Sequence, residues 1–239
     1  MNAITPILRP SWNLNEDSEG SGVDPGRRTK LILFSIVGIV GGAIWLFVYL
    51  RGVNRPSTAS VAPFAALGEV TAQETAKLLD NKGRIVVVTR DTGQYPAPEL
   101  EEQLKAFQQT VKQHPDLTLA ATEKVQLDTD ITDAGLSPDF YLNLLQKYPD
   151  AAAIVSFVGP PALSPQQIRT LPQKIPKFIA VSLATVPLKR LFRSDLIHVA
   201  IVNRTKPAQQ SGKKPASARE QFDQYFQVVT AENADSLRF

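Results

Sequence analysis

Residues 144–157 read LLQKYPDAAAIVSF, and this stretch decides the fold class. Leu144 and Leu145 belong to a helix that opens at Ser137-Pro138. There a serine can accept an orphan first-turn amide, and a proline fills a position whose N–H would have no partner. Tyr148-Pro149 stops the helix, because the residue before a proline is pushed out of the helical region. Ala151–Val158 follows as a strand that is apolar at every position but Ser156. An exposed sheet face would show alternation, so the continuous run predicts cover on both faces. A parallel sheet fed by helical crossovers provides that cover.

The same pattern extends in both directions. Upstream, Ile85–Thr89 (IVVVT) is a β-branched run. Pro98–Gln113 places Leu100, Leu104, Phe107 and Val111 on one helical stripe. Leu117–Leu127 predicts the next strand. Downstream come a short helix near Ser164–Thr170 and strands at Phe178–Leu183, Leu196–Val202 and Phe226–Val229. Thr71–Leu79 reads as a short helix with Thr71 as N-cap and Glu74 three residues on. Strand–helix alternation predicts one doubly wound, mostly parallel, three-layer α/β (Rossmann-like) domain over residues 68–239.

Leu31–Leu50, LILFSIVGIVGGAIWLFVYL, is twenty residues without a charge. As a helix it is about 30 Å long and matches the bilayer core. The reading is one uncleaved transmembrane helix, with the membrane as partner. Arg27, Arg28 and Lys30 precede it and Arg51 and Arg55 follow it. That bias predicts a cytoplasmic N-terminus and a periplasmic main domain, in the inner membrane. Gly38 and Gly42 form a small-xxx-small pair that would let another helix approach closely. Residues 1–30 read as a polar tail and 51–67 as a juxtamembrane linker.

Composition narrows the chemistry. There are no cysteines and two histidines, so thiolate chemistry and multi-histidine metal sites have no residues to build them. A formal charge of +3 is too small to predict nucleic acid as a partner. No glycine-rich phosphate loop or serine elbow is present, and no cofactor is expected. Asp91-Thr92-Gly93 has the aspartic-protease triplet but sits between a strand and a helix, which predicts a turn. Asp128, Asp130 and Asp133 have cation-loop spacing but Asp133 stands where a calcium loop needs Gly, so no metal is expected. His114 is expected at a helix end and His198 within a strand. Arg204, Lys206, Lys213, Lys214 and Arg219 form a basic loop suited to docking on an acidic partner face or anionic headgroups.

Several strings, in order, resemble the second lobe of the type I periplasmic sugar-binding proteins. They are Gly83–Thr89 (GRIVVVT), AFQQTVKQHP at 106–115, Leu144–Phe157, Leu188–Val202 and VVTAENA at 228–234. The resemblance covers roughly residues 83–235 and implies a half-clamp that closes on a solute with an opposing lobe. That first lobe has no counterpart between residues 50 and 83. Where the family places an Asn-Asp pair for sugar hydroxyls, this chain has Val158-Gly159-Pro160-Pro161. Asn203 and Arg204 fall near the family's cleft, with Asp91 after the first strand as a third candidate. No acid, base and nucleophile converge in the sequence. The expectation is therefore a non-catalytic docking or accessory subunit of a membrane complex, with one-lobed solute binding as the alternative.

Overall fold

A computed structural model describes residues 58–239 apart from 94, 127–128, 134, 183–187, 206–214 and 235–239. The elements in chain order are α1 (Thr58–Leu78), β1 (Gly83–Arg90), α2 (Pro98–Val111), β2 (Leu117–Val125), β3 (Ile131–Thr132), β4 (Gly135–Leu136), α3 (Pro138–Lys147), β5 (Ala153–Ser156), α4 (Pro165–Arg169), β6 (Lys177–Ser182), α5 (Leu188–Arg193), β7 (Val199–Asn203), α6 (Ala218–Tyr225) and β8 (Phe226–Val229). Six strands form one sheet in the order β2-β1-β5-β6-β7-β8, and β3-β4 form a separate pair. All neighbours in the large sheet are parallel except β7 and β8.

The apolar strands are continuous because each serves two cores. Successive side chains on a strand point to opposite faces. Val86, Val88, Ile154, Phe178 and Ala180 pack with Tyr141 and Leu144 of α3 and Leu188, Leu191 and Phe192 of α5. Their alternates Ile85, Val87, Val155 and Ile179 pack with Ala72 and Ala76 of α1 and with Phe107 and Val111 of α2. Val181 and Ile201 meet Ala66, Leu67 and Val70 of α1 and Phe222 of α6. The result is the expected three-layer α/β fold.

The predicted boundaries hold for α3 and α4. Ser137 caps α3 by accepting from Phe140 N at 3.3 Å, and Ser164 and Gln167 form a reciprocal capping box on α4. The start of α1 does not match. The helix begins at Thr58, inside the stretch expected to be linker, and Thr71 is not a cap. Thr71 is buried mid-helix, and its hydroxyl donates to the Leu67 carbonyl at 2.6 Å. Small residues form much of its buried face: Ala66, within the stretch expected to be linker, and Gly68, Ala72 and Ala76 beyond it. Gly68 lets α1 lie directly on α2, since a Cβ there would come within 2.0 Å of the Gln103 carbonyl oxygen.

Two further elements depart from the sequence reading. The β3–β4 hairpin and the short helix α5 were not expected, and His198 lies just before β7 rather than within it. Among the described residues no helix is long and apolar enough to cross a membrane. The expected anchor at 31–50, with Gly38 and Gly42, lies outside the described residues, as do the tail and Asp128.

Candidate functional site

In a doubly wound sheet the natural crevice lies beyond the carboxyl ends of the strands, where the strand order reverses. Here the chain goes from β1 outward to β2 and then returns across β1 to β5, so the reversal falls between β1 and β5. Thr89, Arg90 and Asp91 leave one side of this crevice, and Ser156 to Pro161 leave the other.

Both exits are occupied by the chain's own structure. Asp91 turns the chain: its Oδ1 accepts from Gly93 N at 3.2 Å. Gly159, Pro160 and Pro161 are buried under the β3–β4 hairpin. Leu136 N donates to the Pro160 carbonyl at 2.9 Å, and Ala162 N donates to the Leu136 carbonyl at 2.8 Å. Gly135, at φ +129°, allows this approach, because a Cβ there would come within 2.0 Å of the Pro160 oxygen. Ser156 Oγ accepts from Val158 N at 3.3 Å.

The remaining sequence candidates lie further along the edge. Asn203 ends β7 opposite Phe226 of β8. Arg204 is drawn onto the α6–β8 corner. Its Nε donates to the Phe226 carbonyl at 2.9 Å and its Nη2 lies 3.9 Å from Asp223 Oδ1. Three strand steps separate β1 from β7, so Asp91 and Arg204 are roughly 14 Å apart at the usual strand spacing. The structure brings Asn203 and Arg204 together but leaves Asp91 out of their reach.

The basic loop is similarly divided. Lys206, Lys213 and Lys214 lie outside the described residues. Arg219 is not in a loop: it sits in the first turn of α6, after the N-cap Ser217. There it bonds Glu74 and Asp223, each at 3.2 Å, with its guanidinium 5.5 Å from the Phe222 ring. Asp130 accepts from Gln126 N at 2.9 Å. No group of three potential metal ligands occurs among the described residues. His114 follows the end of α2 as expected, and its N–H donates to the Val111 carbonyl at 3.0 Å.

Three solved structures of solute-binding proteins share this architecture. The arabinose-binding protein AraP from Geobacillus stearothermophilus superposes with a TM-score of 0.52 at 19% identity, over 74% of this chain and 63% of that one. A solute-binding protein of an ABC transporter from Burkholderia graminis, solved with D-arabinose, gives 0.52 at 16% identity over 73% and 62%. A sugar-binding protein of a Bacillus halodurans ABC transporter gives 0.50 at 18% identity over 72% and 63%.

The chain resembles a single lobe of the type I periplasmic sugar-binding fold.

It spans less than two thirds of the length of these proteins. No family model and no curated protein matches it.

Sequence reading missed a second concave region, at the opposite end of the sheet. A pocket of about 470 Å³ lies at the amino ends of β5, β6 and β7, between Pro149–Ala152, Gln173–Lys177 and the Asp195–His198 turn. His198 forms its back wall, with a side chain only 10% exposed. Its Nδ1 accepts from Phe178 N at 3.2 Å, while its backbone N–H donates to the Phe178 carbonyl at 2.8 Å. Burial lowers its pKa, and the nearby Lys177 lowers it further, against an opposing pull from Asp195. These residues come from three separate loops, so no local motif could have indicated the pocket.

Proposed function

We propose that this chain is a non-catalytic, membrane-anchored docking or accessory subunit of a larger membrane complex, with its α/β domain outside the cytoplasm. The observation that carries this reading is the state of the carboxyl edge. Arg204 and Asp91 are engaged by the chain itself, and the segment after β5 is buried under a hairpin. Solute recognition needs several polar groups converging on one small volume. An edge whose polar groups are already engaged is better suited to broad contact with a protein. The uncharged stretch at 31–50 supports the anchor, and its basic flanks support the orientation.

The test is purification of the full chain in a mild detergent, with mass spectrometry of whatever accompanies it. A partner at fixed stoichiometry is expected, with no saturable rise in melting temperature on adding arabinose or related sugars. A protein that runs alone and is stabilised by a sugar would overturn the reading. Protease protection checks the orientation: digestion of the domain from the cytoplasmic side alone refutes it.

A second reading, a one-lobed solute-binding module, has two supports. One is the likeness to arabinose-binding proteins. The other is a row of hydroxyls, Thr89, Ser156 and Ser182, at the carboxyl ends of three adjacent strands. All three are buried, so this reading requires the edge to open before a solute can reach them.

A further inference from the structure

We propose that the pocket at the amino edge of the sheet binds a small carboxylate carried on a compact apolar body. Its volume of about 470 Å³ falls within the range of small-ligand sites. The polar groups lining it are nearly all donors. Lys174 and Lys177 make no ion pair among the described residues, and Gln173 adds an amide. His198 contributes a fourth donor. Because its Nδ1 accepts the Phe178 amide hydrogen, the neutral ring must carry its proton on Nε2. Among the described residues that N–H has one recorded partner, the Asp195 carboxylate at 3.4 Å, and Asp195 is 87% exposed. The pocket therefore offers two ammonium groups, one imidazole N–H and one amide against a single competing carboxylate.

The helix ends do not cancel this surplus. The α3 and α5 C-termini lie toward this edge, each equivalent to roughly half a negative charge. Arg190 and Arg193 stand in the last turn of α5, and Lys147, which pairs with Glu123 at 2.8 Å, in the last turn of α3. Lys174 and Lys177 remain for a ligand. Among the described residues no helix N-terminus, the usual seat for a phosphate, lines the pocket: the helices that lead into parallel strands end at this edge, and no lining residue belongs to α6, which leads into antiparallel β8. Point-charge ammoniums with one N–H donor suit a carboxylate. Pro149, Ala151, Ala152, Ile175 and Pro176 give the apolar wall for its carbon body.

The chain has only two histidines, so proton NMR of the imidazole rings reads the site directly. Succinate is titrated into the full chain in detergent at constant ionic strength, with inorganic phosphate and sodium chloride as parallel arms. His114→Gln assigns the two signals. The expected result is a saturable shift of the His198 ring with succinate, none at His114, and at least tenfold weaker affinity in the Lys174→Gln/Lys177→Gln double variant. Both lysines are exposed, so that variant keeps the fold. Three results would overturn the proposal: equal responses to succinate, phosphate and chloride; parallel shifts of both histidines; or unchanged affinity in the double variant.

Discussion

Gly68→Ala sets two physical effects against each other, and the structure says which wins. Replacing an interior helical glycine with alanine favours the helix by about 1 kcal/mol, because glycine loses more backbone freedom on folding. At Gly68 the added methyl would lie 2.0 Å from the Gln103 oxygen, 2.9 Å from its carbonyl carbon and 3.1 Å from Phe107 N. Ordinary contact begins at 3.4 Å, so α1 and α2 must separate by about 1.4 Å (3.4 minus 2.0). The obstacle is backbone on a packed helix and cannot rotate away. Separation would loosen Phe107, Ala72 and Ala76, which share one buried cluster. Overpacking of this kind costs about 3 kcal/mol at the upper end of its usual range. The net is a loss of about 2 kcal/mol, equivalent to a melting temperature roughly 4–8 °C lower for a domain of this size. Thermal unfolding of the full chain, followed by circular dichroism, measures it. A variant as stable as the parent, or more stable, would show that helix propensity dominates and that the close packing of α1 on α2 is wrong.

Tyr141→Phe should leave stability unchanged or raise it by up to about 2 kcal/mol in urea unfolding, because the buried Tyr141 hydroxyl has no hydrogen-bond partner among the described residues and its removal relieves a desolvation penalty. The pKa of His198 is lowered on folding, so the unfolded chain binds more protons and stability rises with pH up to the unfolded value of about 6.5. A melting temperature that falls as pH drops from 7 to 5.5, with a shallower slope in His198→Gln, is expected; identical slopes would refute the assignment. Arg204→Ala removes the bond to the Phe226 carbonyl and a partly exposed contact with Asp223, and should lower stability by about 1 kcal/mol in the same unfolding assay. Gly135→Ala meets both a positive φ and the Pro160 carbonyl, and should lower the melting temperature more than Gly93→Ala, whose Cβ would meet nothing within 4 Å.

The layers of this fold were legible because burial on both faces leaves a plain mark, the unbroken apolar runs at 85–88, 153–155 and 178–181. Ser137-Pro138 and Ser164 marked two helix starts correctly because a cap is a local interaction between residues close in sequence. The start of α1 was hidden by the way it packs. A helix that lies close on its neighbour does so through alanine and glycine, and VAPFAALGEV has the composition of a linker. Pro63, which lacks the N–H of a regular turn, strengthens that misreading. Arg219 was assigned to a loop because a run of bases masked the Ser217 cap and the Glu220 that follows it. Contacts set by tertiary structure, such as Arg219 with Glu74, leave no local signal.

The carboxyl edge itself gives the strongest reason to separate this fold from its usual task. A clamp lobe that holds a sugar needs side-chain donors and acceptors where the chain leaves the central strands. At that point this chain has Val158-Gly159-Pro160-Pro161, which offers no polar side chain, and its two prolines have no backbone N–H to donate. What the segment does provide is the Pro160 carbonyl, and Leu136 takes it. Gly159 at φ +106° and Gly135 at φ +129° hold the two backbones close enough that a side chain at Gly135 would collide. These are specific requirements, and they serve to attach the hairpin to the chain leaving β5. A hairpin held this firmly closes off the segment where recognition would have to occur.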